Sequence, residues 1–230
     1  MTEPAHRVPA GTPEPAPSRG LFVTLEGIDG AGKSSHLSWA TQWLMTRGVD
    51  VVTTREPGGT ALGEKIRALL LNDTMTLKAE CLLLFAARAE HLAVVIEPAL
   101  ARGSWVISDR FTDATFAYQC GGRGADPKRI AVLEQWTQEG LSPDRTWLFD
   151  ISVNLAAQRR EQRDGSAQLD RFEAQETSFH QRVRGAYLDR MIQEPERFMH
   201  IDSSTSIDSI RQQLEQDLEA LLRRQIVSEG

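Results

Sequence analysis

The sequence predicts an α/β fold in which a five-stranded parallel sheet is flanked by helices. Two observations carry this expectation. Short apolar runs of strand type recur between longer helix-type segments, and the first run leads straight into a glycine-rich loop that opens a helix. The length of 230 residues suits one well-buried domain.

In chain order, the strand-type runs are LFVTLE (21–26), VDVVTT (49–54), SWVISD (104–109), TWLFDI (146–151) and FMHID (198–202). Helix-type segments lie at 33–47, 61–71, 78–102, 126–139, 153–163, 171–192 and 206–225. In the last of these, Ile207, Ile210, Leu214, Leu218 and Leu221 recur at steps of three and four, the mark of a helix that lays one apolar face on a sheet. Residues 1–19 carry five prolines and no apolar stretch, so they read as a disordered extension without a signal peptide, ahead of a domain spanning 20–226.

Composition excludes several function classes. The formal charge of −6 argues against a nucleic-acid or membrane-surface binder, so any basic site has to be local. No apolar run reaches the ~18 residues of a membrane span. Two cysteines, Cys81 and Cys120, do not make a disulfide framework and fit buried thiols in a reducing cytoplasm.

The chemistry starts at GIDGAGKSS, residues 27–35, whose first eight residues fit G-x-x-x-x-G-K-[ST]. The backbone of Gly27, Ile28, Asp29, Gly30, Ala31, Gly32, Lys33, Ser34 and Ser35 is the candidate cradle for ATP or GTP, its N–H groups facing phosphate at a helix N-terminus. Lys33 is expected on the β- and γ-phosphates and Ser34 on Mg²⁺. A carboxylate, Asp29, sits in the middle of this anion-binding loop and needs a reason.

Three further segments bear on the reaction. TREPGGT (54–60) follows the second strand, where crevices of open parallel sheets lie, and Arg55 there reads as a phosphate clamp or a solvated arginine before a turn. VISDRFTDATFAYQCGGRG (106–124) ends a strand at Asp109, a site residue or a helix cap. Arg110 follows, then a polar segment with Thr115, Tyr118 and Gln119. AQRREQRDGSAQLDRFE (157–173) brings Arg159, Arg160 and Arg163 to a glycine-containing break. This is a solvated helix end or an arginine-bearing lid over about 157–170.

Taken together, LEGIDGAGKSS, TREPGG, LLLFAARAEH, SDRFTDATFAYQCGGRG and LDRFE resemble the bacterial thymidylate kinases, from about Gly20 to near the C-terminus. The resemblance implies a P-loop kinase fold with a short arginine-bearing lid, transfer of the γ-phosphoryl group of ATP to dTMP with Mg²⁺, and a cytoplasmic homodimer. It implies that Asp29 faces the acceptor phosphate and its metal, that Arg55 and Arg110 clamp that phosphate with Asp109 beside them, and that Lys33, Arg110, Arg160 and Arg163 supply transition-state charge. It places Phe85 on the thymine, Arg88 on its O4, Thr115 and Gln119 on the rest of the base edge, and Tyr118 against the deoxyribose. The family's stacking aromatic often lies four residues before the base-reading arginine. Here Leu84 holds that slot and Phe85 lies three before Arg88.

Overall fold

A computed structural model of the chain describes residues 18–164, 172 and 176–228, apart from the side chains of 163, 164 and 226–228. Residues 1–17 of the expected extension and 165–170 of the expected lid lie outside the described residues. Among those described, five strands form one sheet: β1 (Phe22–Glu26), β2 (Val51–Arg55), β3 (Trp105–Asp109), β4 (Arg145–Asp150) and β5 (Phe198–Asp202). All neighbours are parallel, in the order β2-β3-β1-β4-β5.

Each strand matches its apolar run to within two residues. β1, central in the sheet, is buried along its whole length, Thr24 and Glu26 included. Its side chains alternate between two cores. Val23 and Leu25 join Trp147, Phe149, Leu214 and Leu218 on one face, while Phe22 meets Ile96, Leu100, Val106 and Phe111 on the other.

The helices are α1 (Lys33–Met45), α2 (Ala61–Asn72), α3 (Leu77–His91), α4 (Glu97–Ala101), α5 (Thr112–Thr115), α6 (Pro127–Gln138), α7 (Val153–Asp164), α8 (Thr177–Gln193) and α9 (Ile207–Ser228). Thr60, Thr76 and Asp126 accept backbone N–H groups at the starts of α2, α3 and α6, as side-chain oxygens at that position do. The segment expected as one helix over 78–102 runs unbroken through α3, a π-helical stretch Leu92–Ile96 and α4. Pro98 lacks the N–H that a regular ladder needs there, and the widened turn directly precedes it.

One helical element is missing from the sequence-level map. Residues 112–122, expected as a polar segment, form α5 and a second π-helical stretch, Phe116–Gly122. Threonines, aromatics and two glycines give this stretch weak helix propensity, and packing against α8 overrides it. The glycines are what allow the approach: a Cβ on Gly121 would meet Ala186 Cβ at 2.4 Å, and one on Gly122 would meet Phe179 Cε2 at 2.5 Å.

A buried ionic cluster anchors the same segment. Asp113, fully buried, accepts hydrogen bonds from Arg190 of α8 (2.9 Å) and from Arg197 beside β5 (2.7 and 2.8 Å). Removing this carboxylate leaves two mostly buried arginines to share Glu194 as their close acid partner. We expect Asp113→Ala to destabilise the fold by about 3–5 kcal/mol, the loss of the buried partner of two arginines being the cause, and thermal unfolding to shift down by roughly 6–20 °C. A Tm within a degree or two of the parent would show that the cluster contributes little.

Candidate active site

The parallel order puts β1 between β3 and β4, so the loop after β1 lies beside the C-terminal end of β3. That loop wraps as the glycine pattern requires. Gly27 and Gly30 have φ of +133° and +90°, and a Cβ on Gly30 would meet the carbonyl oxygen of Ala156 in α7 at 2.4 Å. Ile28 and Ala31 are buried beneath the loop, whereas Ser34 and Ser35 stand exposed at the start of α1. Lys33 turns back to donate to the carbonyls of Gly27 (2.9 Å) and Ile28 (3.2 Å). Burial and the nearby Arg110 cation pull its ammonium below lysine's ordinary pKa. An anion at this loop reverses the second of those effects.

Arg110 leaves β3 in the left-handed region, at φ +71°, uncommon for a residue with a side chain. Two contacts hold it there. Ser108 Oγ donates to its carbonyl (2.7 Å), and the next N–H, of Phe111, donates to Glu26 Oε1 (2.7 Å). The guanidinium thereby reaches over the phosphate loop. It donates to Asp29 Oδ1 (2.6 Å), the Gly27 carbonyl (3.0 Å), Tyr118 Oη (3.0 Å) and Tyr187 Oη (2.8 Å). Tyr118 also donates to Asp29 Oδ2 (3.0 Å), and Tyr187 to Glu26 Oε2 (2.8 Å). Burial raises the Asp29 carboxyl, but the cations of Arg110 and Lys33 more than reverse this and hold it well below the usual carboxylate range. Burial pushes the Tyr118 hydroxyl far up, so it remains a donor.

A cleft opens beside this network. Asp29, Arg110, Tyr118, Thr115, Gln119, Arg88, Leu84, Glu56, Arg67 and Phe172 all line it. Arg88, from α3, is fixed on three sides: Nε donates to Glu56 (2.8 Å), Nη1 to Thr112 (3.4 Å) and Nη2 to Thr115 (3.0 Å). Glu56 is held in turn by His91 Nδ1 (2.9 Å). Gln119 donates to Glu80 (2.9 Å). Phe85 does not line the cleft. It packs with Cys81, Phe116 and Ile130 and backs the Arg88 guanidinium at 4.8 Å, while Leu84 takes the lining position.

The remaining expected residues sit at the margins. Arg55, adjacent in register to Asp109, is half exposed and ion-paired with Glu64 (2.9 Å) at the cleft's edge. Asp109 Oδ1 is buried without a hydrogen-bond partner among the described residues. Arg159 and Arg160 are half-buried on α7, three and four residues after Ala156, hence on the helix face that meets the loop. The side chain of Arg163 lies outside the described residues.

The sequence matches the family described as thymidylate kinase over residues 25–214. The chain belongs to that family. It is therefore a kinase that converts dTMP to dTDP with ATP. It is 57% identical to the thymidylate kinase of Cupriavidus metallidurans, across 88% of this chain and all of that protein. To the Bordetella petrii thymidylate kinase it is 55% identical, across 89% of this chain and 97% of that one. The crystal structure of the Ehrlichia chaffeensis thymidylate kinase superposes with a TM-score of 0.66 at 33% identity, covering 80% of this chain and 93% of that chain.

Several residues that hold this kinase's site together escaped the sequence reading. Glu26 and Glu56 lie inside motifs whose recognisable signal is carried by their neighbours. Glu80 and Tyr187 sit in helices with no motif to mark them. Glu26 also carries a pH signature: full burial and the charge of Asp113 raise its carboxyl to about 8. The unfolded chain releases that proton near 4.5. The stability tied to Glu26 is thus complete below about pH 4.5 and declines as pH rises to about 8. Glu26→Gln stays neutral throughout, so we expect its unfolding free energy relative to the parent to climb between pH 5 and 8 and level off above. Referring each pH to the parent cancels His36, which burial lowers to about 4. Parallel stability curves for the two proteins would disprove the assignment.

Proposed function

We propose that dTMP occupies the cleft with its phosphate at Arg110 and its base between α3 and the Thr112–Gly122 segment, while ATP lies on the loop from Gly27 to Ser35. One observation carries this reading: Arg110 joins the phosphate loop to the cleft through Asp29, so one guanidinium faces both the donor and the acceptor side. An acceptor phosphate already carries the attacking oxygen as an anion, and catalysis is then mostly alignment and charge neutralisation. The acceptor oxygen bonds to the γ-phosphorus as the bond to ADP breaks. Lys33 exchanges its two carbonyl partners for the β- and γ-phosphates. Asp29 keeps Arg110 and Tyr118 oriented toward the acceptor and stays ionised.

At the base, Arg88 donates to the 4-oxo group, Thr115 and Gln119 read the adjoining edge, and Leu84 supplies the apolar contact that the resemblance assigns to Phe85. Tyr118 lies against the deoxyribose, and Arg55 guards the outer side of the acceptor phosphate. For Mg²⁺, the exposed Ser34 hydroxyl, Asp29 and the unpartnered Asp109 Oδ1 suit a hard cation that takes one or two carboxylates plus substrate phosphates. When bound, the ion neutralises charge on the β- and γ-phosphoryl oxygens. Transition-state charge comes from Arg160 and Arg163. In this reading the homodimer forms through the exposed Leu82 of α3 and Val132 and Trp136 of α6. Free thiols at Cys81 and Cys120 suit the cytoplasm.

The decisive assay couples ADP release to dTMP, dUMP, UMP, CMP, AMP and GMP in turn. We expect turnover that requires both Mg²⁺ and dTMP, and equal turnover with another monophosphate would overturn the acceptor assignment. In the same assay, Arg160→Ala should cut kcat by up to ~10³-fold with a smaller change in KM for dTMP, as for charge delivered mainly in the transition state. Leu84→Ala should weaken dTMP binding without moving the KM for ATP. A kcat within about twofold of the parent in both Arg160→Ala and Arg163→Ala would leave the charge to Arg110 and Lys33.

A further inference from the structure

We infer that Glu80 is a positioning residue that sets which way the Gln119 amide faces, and so selects a base with a 4-oxo group beside a ring N–H. The inference rests on the cleft holding the base of the acceptor nucleotide. Glu80 of α3 is fully buried and ion-paired with Arg123. Such a carboxylate offers acceptors only. The Gln119 side chain, itself 2% exposed, meets it through Nε2 at 2.9 Å. The reversed amide would set its carbonyl oxygen against the carboxylate, two acceptors facing each other in a dry interior. Gln119 Oε1 is therefore turned away from Glu80, and among the described residues it has no other partner.

On the neighbouring part of the cleft wall stands Arg88, which can only donate. Its orientation is settled independently by Glu56, Thr112 and Thr115. The wall thus offers a donor next to an acceptor. Thymine and uracil present the complement, the C4 carbonyl beside N3–H. Cytosine presents the reverse, an amino group beside a bare N3, so it would put donor against donor at Arg88 and acceptor against acceptor at Gln119. A polar site rejects such a mismatch far more strongly than an apolar pocket rejects a change of size, because buried groups are left unpaired. Arg88 contributes half of that discrimination whatever Gln119 does. The other half depends on Glu80, which lies behind Gln119 and off the cleft lining.

The test compares kcat/KM for dTMP and dCMP in the full chain with Mg²⁺–ATP. The parent should prefer dTMP strongly; a parent without that preference would refute the acceptor assignment itself and not merely the role of Glu80. In Glu80→Gln the amide polarity is no longer dictated. We expect the dTMP:dCMP ratio to fall at least tenfold, mainly through the KM for dTMP, with the KM for ATP within twofold of the parent. The exchange Glu80→Gln with Gln119→Glu restores a donor on α3 and an acceptor in the cleft, and it should recover most of the lost ratio. A role confined to stability would lower Tm and leave the ratio alone. A ratio within twofold of the parent in folded Glu80→Gln, or no recovery in the exchange, overturns the inference. If Glu80→Gln does not fold, a crystal structure of the parent with dTMP decides: N3 within hydrogen-bond distance of Gln119 Oε1 supports it, and N3 bonded to any other group overturns it.

Discussion

The site depends on the hydrogen bond between the backbone of residue 111 and the carboxylate of Glu26. A residue with a side chain held at positive φ costs on the order of 1–3 kcal/mol and persists only where its surroundings over-determine it. Here Glu26, at the end of the central strand, accepts the Phe111 N–H, and Ser108 closes the turn from the other side. The consequence is directional. With Arg110 in the left-handed region, its guanidinium reaches back over β1 to Asp29. The carboxylate in the middle of an anion-binding loop is explained by that reach. Its charge offsets that of Arg110, and the pair ties the phosphate loop to the wall of the cleft.

Much of this could be read from the sequence, and the reasons are specific. The parallel strands β1 and β3 are buried along nearly their whole length, so FVTLE and WVISD are led by apolar residues and stand out as runs. The phosphate loop is a local motif whose geometry depends on glycines at fixed spacing. What escaped was set by contacts distant in sequence. Threonines, aromatics and glycines make residues 112–122 a weak helix signal; packing against α8 overrides it, and that approach demands Gly121 and Gly122. Leu84 and Phe85 lie four and three residues before Arg88, and both spacings bring a side chain alongside it. Which of them faces the cleft follows from the roll of α3. That roll is fixed by Phe85 docking among Cys81, Phe116 and Ile130, the last of these supplied by α6.

The polar groups behind the site follow the same logic. Arg88 is presented by Glu56, Glu56 is braced by His91, and His91 Nε2 meets Thr54 Oγ1 at 2.6 Å. Each link joins the end of β2 to α3 across more than thirty residues. A motif such as REPGG therefore carries two roles in adjacent positions: Arg55 faces outward to the cleft's edge and Glu56 faces inward to hold Arg88. Sequence inspection naturally weights the arginine, because a phosphate site calls for one. The buried acid beside it becomes visible only when its partners are known.

Electrostatics and backbone geometry converge on Gly30. Some thymidylate kinases carry an arginine in the phosphate loop at the residue after the acid. In this chain that position has φ +90°, and any Cβ there would run into the Ala156 carbonyl. The close approach brings α7 against the loop, so the next turn of that helix carries Arg159 and Arg160 on the face that meets it. At the loop, burial and then the charge of Arg110 depress the pKa of Lys33, and a third fixed cation beside them would add to that repulsion. The glycine that excludes an arginine from the loop is the same residue that lets the arginine-bearing helix come close.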